Sequence, residues 1–548
     1  MSDASISHHA ELNPQPGARD QRAFGVVTPD ADGNIDCDVV IIGSGMGGST
    51  FAHALRDTGL NVVVVERGDF LPREIQNWSA EAVFGQGRYR NAERWLDQSN
   101  QAFTPGVFYY VGGNTKFYGA MLPRFREADF GEIQHAEGVS PAWPITYAEM
   151  EPWYAEAEKL YRVHGQAGVD PSEPWRSGPF PHPALEHDPA LVPLEQSMRR
   201  SGLKPFVMPA AVDYGEGGGC VLCSTCDGYP CLVEAKGDAE VSALRPALRN
   251  GTTHLLTRTL INQLVTSADG RTITEARGTR DGRAVTLRAK RFVLACGAVN
   301  SAALLFKSAN EQHPQGLGNS SGQLGRNYMV HNSTFMLAVD PRRLNKVMFQ
   351  KTLAINDWYS ASANNLFPLG NVQMLGKIRE PMITPMRPWL PKFASRYVTD
   401  HSVDLYLTSE DLPTQENRVT YDKARGAIKV YWQPNNLTAH KGLVRKISKV
   451  MRDAGYPIVL TERMGIATNS HQCGTAVMGK DPQSSVLDVN CKMHDLDNAW
   501  VVDSSFFPSS AAVNPALTIA ANALRVAEVF KASGILTRLL QQPLAQLK

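Results

Sequence analysis

Charge of one sign is what this chain most conspicuously lacks: 55 Lys and Arg stand against 54 Asp and Glu, a net of +1 over 548 residues. With only 8% aromatics besides, it carries no basic footprint for nucleic acid or an anionic membrane surface. No run approaches the roughly 18 apolar residues of a membrane span. The first 21 residues have neither the basic start nor the apolar centre of a secretion signal. Eight cysteines exclude a disulfide-built scaffold and suit a reducing compartment. The expectation is a soluble cytoplasmic protein with no nucleic-acid or membrane partner. What is present is ordinary globular composition, 43% hydrophobic and 20% charged. The length fits roughly two to four units of about 150 residues, and no fixed-period repeat is visible.

Residues 1–34 are polar and rich in Gly and Pro, and read as an N-terminal arm. The pattern then changes. Asp38-Val39-Val40-Ile41-Ile42 is a short continuous apolar run, as in a strand buried on both faces. Helix formers from Ser49 to Arg56 follow, Gly59 breaks them, and Asn61 to Val65 reads as a second buried strand. Further on, 143–163 looks helical, 166–190 reads as loop, and 253–295 as short strands around a turn at Ala268-Asp269-Gly270. Residues 340–400 look like a long irregular, proline-studded segment, of the kind that forms lids and binding surfaces. Trp500–Asp503 reads as a strand and Pro515–Val529 as a helix.

Between the first strand and helix stands Gly43-x-Gly45-x-x-Gly48, and Glu66 ends the next strand. In a β-α-β unit the first glycine permits the tight turn, the second lets a pyrophosphate approach the backbone, and the third allows close helix–strand packing. The helix N-terminus adds amide donors and partial positive charge. Glu66, 18 residues beyond Gly48, is placed to accept from ribose hydroxyls. The motif serves FAD and NAD alike. One fingerprint near the N-terminus with no second downstream favours permanently bound FAD.

Alcohol oxidation on a flavin needs a base for the hydroxyl proton and a polar group to orient the oxygen. Asn469-Ser470-His471-Gln472 and Asn514-Pro515-Ala516-Leu517-Thr518 supply those residue types, with Pro515 placed to start a helix aimed at the cofactor. Any one of 14 histidines is by itself more often structural than catalytic.

Together these segments resemble the GMC (glucose–methanol–choline) oxidoreductases, FAD enzymes that oxidise alcohols, from about 36 to 532. Val111-Gly112-Gly113-Asn114-Thr115 is similar to the family's glycine-rich segment beside the flavin, and Ala295-Cys296-Gly297-Ala298-Val299-Asn300-Ser301 to its second signature. The resemblance implies an α/β fold: a Rossmann-like FAD-binding domain from 35–124, 220–327 and 466–548, and an α+β substrate-binding domain with a mixed sheet from 125–219 and 328–465. It implies His471 as catalytic base and Asn514 as its partner. It implies FAD contacts from Gly43, Ser44, Gly45, Met46, Gly47, Gly48, Glu66, Arg67, Gly113, Asn114, Thr115, Ile261, Ala295, Asp503, Asn514, Pro515 and Thr518.

Residues 112–125, with Trp143, Pro144 and Tyr147, are most similar to the sugar-oxidising branch around pyranose oxidases and bacterial glycoside 3-oxidases. Where that branch commonly bonds a histidine to the flavin, this sequence has Phe117, which implies noncovalent FAD. Tyr118 stands where many members carry a flavin-side asparagine and takes no role. The stretches 355–359 and 368–373 resemble the substrate-facing region of glycoside-oxidising members, which implies contacts from Asn356, Asp357 and Gln373. The implied reaction converts a secondary hydroxyl of a sugar or glycoside, at pyranose C2 or C3, to a ketone by hydride transfer to flavin N5. A non-sugar alcohol, or a lyase with structural FAD, is the alternative. Oxygen or a quinone-type acceptor, and a monomer or homo-oligomer, are both left open.

Cys220-x2-Cys223-x2-Cys226-x4-Cys231 comes close to an iron–sulfur run, but its last gap is one residue too long and Leu232 replaces the proline. Zinc fits the same spacing. A metal-free segment is the favoured reading.

Overall fold

The computed structural model describes residues 25–363 and 365–532. The first 24 residues of the expected arm lie outside them. Residues 25–27 run along the first sheet, with Val27 donating its amide to the Leu255 carbonyl at 2.9 Å.

The expected β-α-β unit forms: β1 (Asn34–Ile42), α1 (Met46–Leu55) and β2 (Val62–Val65). Valine and isoleucine dominate both strands because each is covered on two faces, and Val39 to Ile41 and Val62 to Val65 are almost wholly buried. The helix expected over 143–163 is trimmed to α2 (Tyr147–Leu160), whose start is fixed by a reciprocal cap between Thr146 and Glu149. After it come β3 (Thr253–Leu256), β4 (Thr259–Thr266), β5 (Ile273–Arg280), β6 (Arg283–Leu294) and α3 (Ala298–Lys307). The sheet order is β3-β2-β1-β6-β5-β4. It is parallel from β3 to β6, and β4 and β5 extend it antiparallel.

The second large sheet is built from β7 (Asn332–Val339), β8 (Leu353–Ile355), β9 (Asn371–Met374), β10 (Ser402–Ser409) and β11 (Ile458–Arg463), with the two-residue strand Phe206–Val207 at one edge. All its pairings are antiparallel; the mixed pairing expected on this side is found in a small sheet, where Val163–Gly165 pairs antiparallel with Ala210–Ala211 and parallel with His182–Pro183. The segment expected to be irregular, 340–400, contributes two of these strands and α4 (Lys392–Asp400). One sheet face, with Met336, Ala338, Val403 and Leu405, packs on Leu443, Ile447 and Met451 of α5 (Leu437–Asp453). Alternation along the strands turns Phe335, Leu337, Gln373 and Tyr406 to the other face, which lines a cavity that also reaches Ile42 and Val65 of the first sheet.

The chain then returns. β12 (Ala499–Val501) pairs parallel with the end of β6, and α6 (Ala516–Phe530) packs on α1, with Phe51 and Phe530 edge to face at 5.6 Å. No helix among the described residues is long and apolar enough to cross a membrane.

A buried ionic cluster ties α2 to the loop that follows residues 112–115. Arg124 donates to both carboxylate oxygens of Glu158 at 2.9 Å, to Glu151 at 3.0 Å and to the Tyr147 hydroxyl at 2.9 Å. Removing one partner of such a cluster strands buried carboxylates. Arg176 and Ser177 continue to hold them. Arg124→Ala is therefore expected to lose about 3 kcal/mol, the low end for a broken buried pair, read as a lowered urea midpoint.

Candidate active site

A cavity of 1020 Å³ runs from the Gly43–Gly47 turn, past residues 113–121, to His471 and Asn514, and opens beside 376–398 and β11. Its inner end is shaped by glycines with distinct duties. Gly43 has φ +107°, and a Cβ there would lie 2.2 Å from the Ala295 carbonyl. A Cβ on Gly48 would lie 2.0 Å from the Gly43 carbonyl, so this glycine packs the helix onto the strands and does not line the cavity. Gly47 is pressed against the Val502 carbonyl in the same way. Gly45 is the exception: nothing lies within 4 Å of its missing side chain, which faces the cavity.

The rest of the inner wall follows from the same turn. The Ser44 hydroxyl donates to Glu66 Oε2 at 2.6 Å, and the Gly68 amide donates to Oε1 at 2.9 Å. The Gly112 amide in turn donates to Ser44 Oγ at 3.0 Å, locking residues 112–115 to the fingerprint. Asn114 Oδ1 accepts the Phe108 amide at 2.8 Å, and Thr115 Oγ1 donates to the Gly112 carbonyl at 2.5 Å. Behind this turn the buried Lys116 ammonium bridges Asp238 and Glu240 at 2.9 and 2.7 Å. Arg67 lies flat on Tyr109 at 3.6 Å and pairs with Glu93. Met46, Gly113, Ile261, Ala295 and Pro515 also line the cavity. Asp503 Oδ2 accepts the Gly297 amide at 3.0 Å and the Ser301 hydroxyl at 2.5 Å, while burial raises its carboxyl above the usual range.

This wall fits a dinucleotide. The N-termini of α1 and α6 both face the cavity, and neither has a side-chain cap or an acidic residue in its first turn. Their free amides are donors for an anion. The space over Gly45 would let a diphosphate approach the backbone.

At the far end His471 and Asn514 share the cavity, as expected. How their neighbours are arranged is visible only in three dimensions. His471 Nδ1 lies 3.0 Å from Nδ1 of the buried His331, whose Nε2 lies 3.1 Å from the Ser510 carbonyl. Burial, with the other imidazole nearby, pushes His471 down to about 3; burial pushes His331 down to about 4. Both rings are therefore neutral near pH 7. A carbonyl only accepts, so His331 carries its proton on Nε2 and accepts at Nδ1. His471 must then carry its proton on Nδ1. Its Nε2 is left as a bare lone pair. Gln373 Nε2 donates to Asn514 Oδ1 at 2.9 Å, which leaves the Asn514 amide hydrogens for another acceptor.

Besides Gly48, three expected contacts are placed elsewhere. Asn356 lies outside the cavity lining: it donates to Asp170 at 2.8 Å and accepts from Asn371 at 2.7 Å. Asp357 receives the Lys204 amide at 3.1 Å outside the cavity. Both side chains are taken up in holding loops to the second sheet. Thr518, in the first turn of α6, stands outside the cavity lining, its hydroxyl 2.8 Å from that of Tyr154. Of the substrate contacts expected, Gln373 alone reaches the cavity.

The GMC oxidoreductase family models match residues 33–333 and 413–523 of this chain. The chain belongs to the GMC oxidoreductase family. It is 30% identical over 512 residues to 6'''-hydroxyparomomycin C oxidase of Streptomyces lividus, covering 89% of this chain and 90% of that one. It is also 30% identical to paromamine 6'-oxidase of Streptomyces fradiae, over 90% of each. Pyridoxine 4-oxidase from Mesorbium loti shares the fold, with a TM-score of 0.63 at 18% identity, covering 90% of this chain and 99% of that one. As a GMC oxidoreductase the chain is an FAD enzyme that oxidises CH–OH groups.

Against that family background two local features stand out. Phe117 is buried in the cavity wall and stacks on Phe108 at 3.7 Å, and the Tyr118 hydroxyl donates to the Gly237 carbonyl. The cysteines 220, 223, 226 and 231 are free thiols. Burial pushes Cys220 up to about 12 and raises Cys223 and Cys231. Among the described residues no group of three or more His, Cys, Asp or Glu is arranged to hold a metal.

Proposed function

We propose that this enzyme oxidises a secondary ring hydroxyl of a sugar or glycoside, at pyranose C2 or C3, to a ketone, with His471 as base and Asn514 as its partner. The observation that carries the reading is the His331–His471 pair, which leaves His471 Nε2 unprotonated in the cavity that Asn514 also lines. FAD, held noncovalently because Phe117 offers no nucleophile, supplies the hydride acceptor when bound. Gly45, Ser44, Met46 and the N-terminus of α1 would hold its diphosphate, Glu66 its ribose, and Pro515 with the N-terminus of α6 the far end of its ring. His471 Nε2 takes the hydroxyl proton, and the Asn514 amide, turned by Gln373, donates to the same oxygen. In this reading 35–124, 220–327 and 466–548 form the cofactor side, and 125–219 and 328–465 the substrate side. Anaerobic mixing with a panel of sugars, glycosides and simple alcohols tests it. Flavin bleaching by a sugar or glycoside, with a keto-sugar product, is expected; bleaching only by non-sugar alcohols contradicts it.

The neutral imidazole is the base, so its lowered pKa widens the working range instead of narrowing it. Flavin reduction is expected to stay level from neutral pH down past 6.5 and to fall only as pH approaches about 3. An unperturbed imidazole would show half the loss near 6.5, and stopped-flow reduction rates over this range decide between them.

His331 acts through His471, as a positioning residue. In His331→Phe the Nδ1–H of His471 loses its acceptor and the tautomer is no longer fixed, so reduction should slow about 10- to 100-fold with substrate KM little changed. His331→Asn keeps an oxygen acceptor and should recover most of the rate. Equal rates in both variants would mean that the ring serves packing alone.

A further inference from the structure

The outer half of the cavity is chemically unlike its inner half. Along β7 Ser333, Phe335 and Leu337 share one face, starting beside His331, and Phe335 and Leu337 line the cavity. At about 3.3 Å per residue, His331 to Leu337 spans roughly 20 Å. Phe335 faces Tyr406 on β10, and Leu337 faces Leu460 on β11. The cross-strand neighbours are mixed: Glu462 on β11 also faces Phe335, and Asp404 on β10 faces Leu337 but is paired with Lys377 outside the cavity lining. Tyr406 itself is close to Ser333, hydroxyl to hydroxyl at 2.9 Å. The opposite lip comes from the segment before α4, with Met386 and Trp389 in the lining and both exposed; Trp389 is 74% exposed. Large apolar side chains standing free at a cavity mouth mark a surface that something apolar covers.

The polar groups placed to meet the hydroxyls of a reacting sugar stand at the inner end: His471, Asn514 and Gln373. The carboxylates of the outer half are already satisfied. Asp227 pairs with Lys351 at 2.7 Å and also takes the Gly376 amide, and Glu462 pairs with Arg387. The remaining carboxylates of the lining, Glu66, Glu93 and Asp503, lie at the dinucleotide end with partners of their own. No carboxylate of the lining is set aside for ammonium groups. A second sugar ring or an amine-bearing sugar in the outer half would gain no charged partner and little polar contact from Leu337, Leu460, Met386 and Trp389.

Building on the proposed sugar-hydroxyl oxidation, we infer that the substrate is a glycoside with an apolar aglycone: its sugar ring reaches His471 and Asn514, and the aglycone lies between Leu337, Leu460, Met386 and Trp389. The chemistry favours a phenolic or short alkyl glycoside over a free sugar, an oligosaccharide or an amino sugar.

Anaerobic flavin reduction of the FAD-loaded enzyme with phenyl β-glucoside, methyl β-glucoside, glucose, paromamine and 1-phenylethanol tests this. KM for phenyl β-glucoside should be at least about tenfold below that for methyl β-glucoside, the scale of discrimination an apolar pocket gives. In Trp389→Ser and Leu460→Ser, both exposed positions that tolerate a polar residue, the ratio of the two KM values should fall toward one. Equal KM values for the two glucosides in the unmodified enzyme overturn the aglycone site while the sugar reading stands. Preference for paromamine overturns it too. Reduction by 1-phenylethanol but by neither glucoside instead overturns the sugar reading, and the inference with it.

Discussion

In His471→Ala, flavin reduction by substrate is expected to slow by about 10²- to 10⁴-fold, the range for removing a positioned general base, while the purified protein stays yellow with unchanged FAD content. The two readouts separate because the imidazole lies at the opposite end of the cavity from the glycines and helix N-terminus that face the dinucleotide. Its ring is half-buried, and its polar contact is to His331, so truncation strands only the His331 Nδ1 acceptor. The residual rate should rise with pH, because hydroxide then does the work of Nε2, whereas the unmodified enzyme is level over the same range. Single-turnover measurement is the proper test, since it isolates the chemical step from product release. Near-normal reduction in the variant would remove His471 from the role of base.

The second large effect concerns colour. Gly45→Val should give a folded protein that retains less than about a tenth of the FAD per chain found in the unmodified protein after gel filtration, a loss equivalent to at least about 1.4 kcal/mol of binding. Residue 45 has φ −70° and ψ −165°, extended backbone open to any residue, and its missing side chain points into empty space. Valine therefore leaves the fold alone and fills the place of the diphosphate. Gly48→Ala is the contrasting control: its Cβ would meet the Gly43 carbonyl at 2.0 Å, so protein yield should drop along with colour. Absorbance at the flavin band, together with circular dichroism, distinguishes an empty site from a lost fold. A yellow Gly45→Val protein with full FAD occupancy would mean that the diphosphate lies elsewhere.

The inner half of the site was legible in the sequence because it is local. Strand, turn, helix and acid all fall between Asn34 and Glu66, and the tight turn at Gly43 and the close packing at Gly48 form where the spacing puts them. The outer half was not, for two physical reasons. Polar residues in a connecting stretch look alike whether they face a ligand or hold a loop, and Asn356 and Asp357 turned out to hold loops. His331 is 140 positions from His471, and nothing in Met329-Val330-His331-Asn332 sets it apart from any other buried strand entrance. The antiparallel bridge between Met329 and Cys473, whose register sets residue 331 opposite residue 471, brings that ring to the base. The antiparallel character of the second sheet was hidden for the same reason, since strands such as β8 and β9 span only three and four residues.

The contact between Gly47 and the carbonyl of Val502 bears on biosynthesis. Between the fingerprint turn and β12, the strand that buttresses it, lie Gly48 to Asn498, the greater part of the chain. Until the ribosome has released that stretch, the end of β6 has an open edge and α1 lacks the helix that covers it. The wall of the fingerprint turn, Val502 and α6 included, is therefore complete only late in translation.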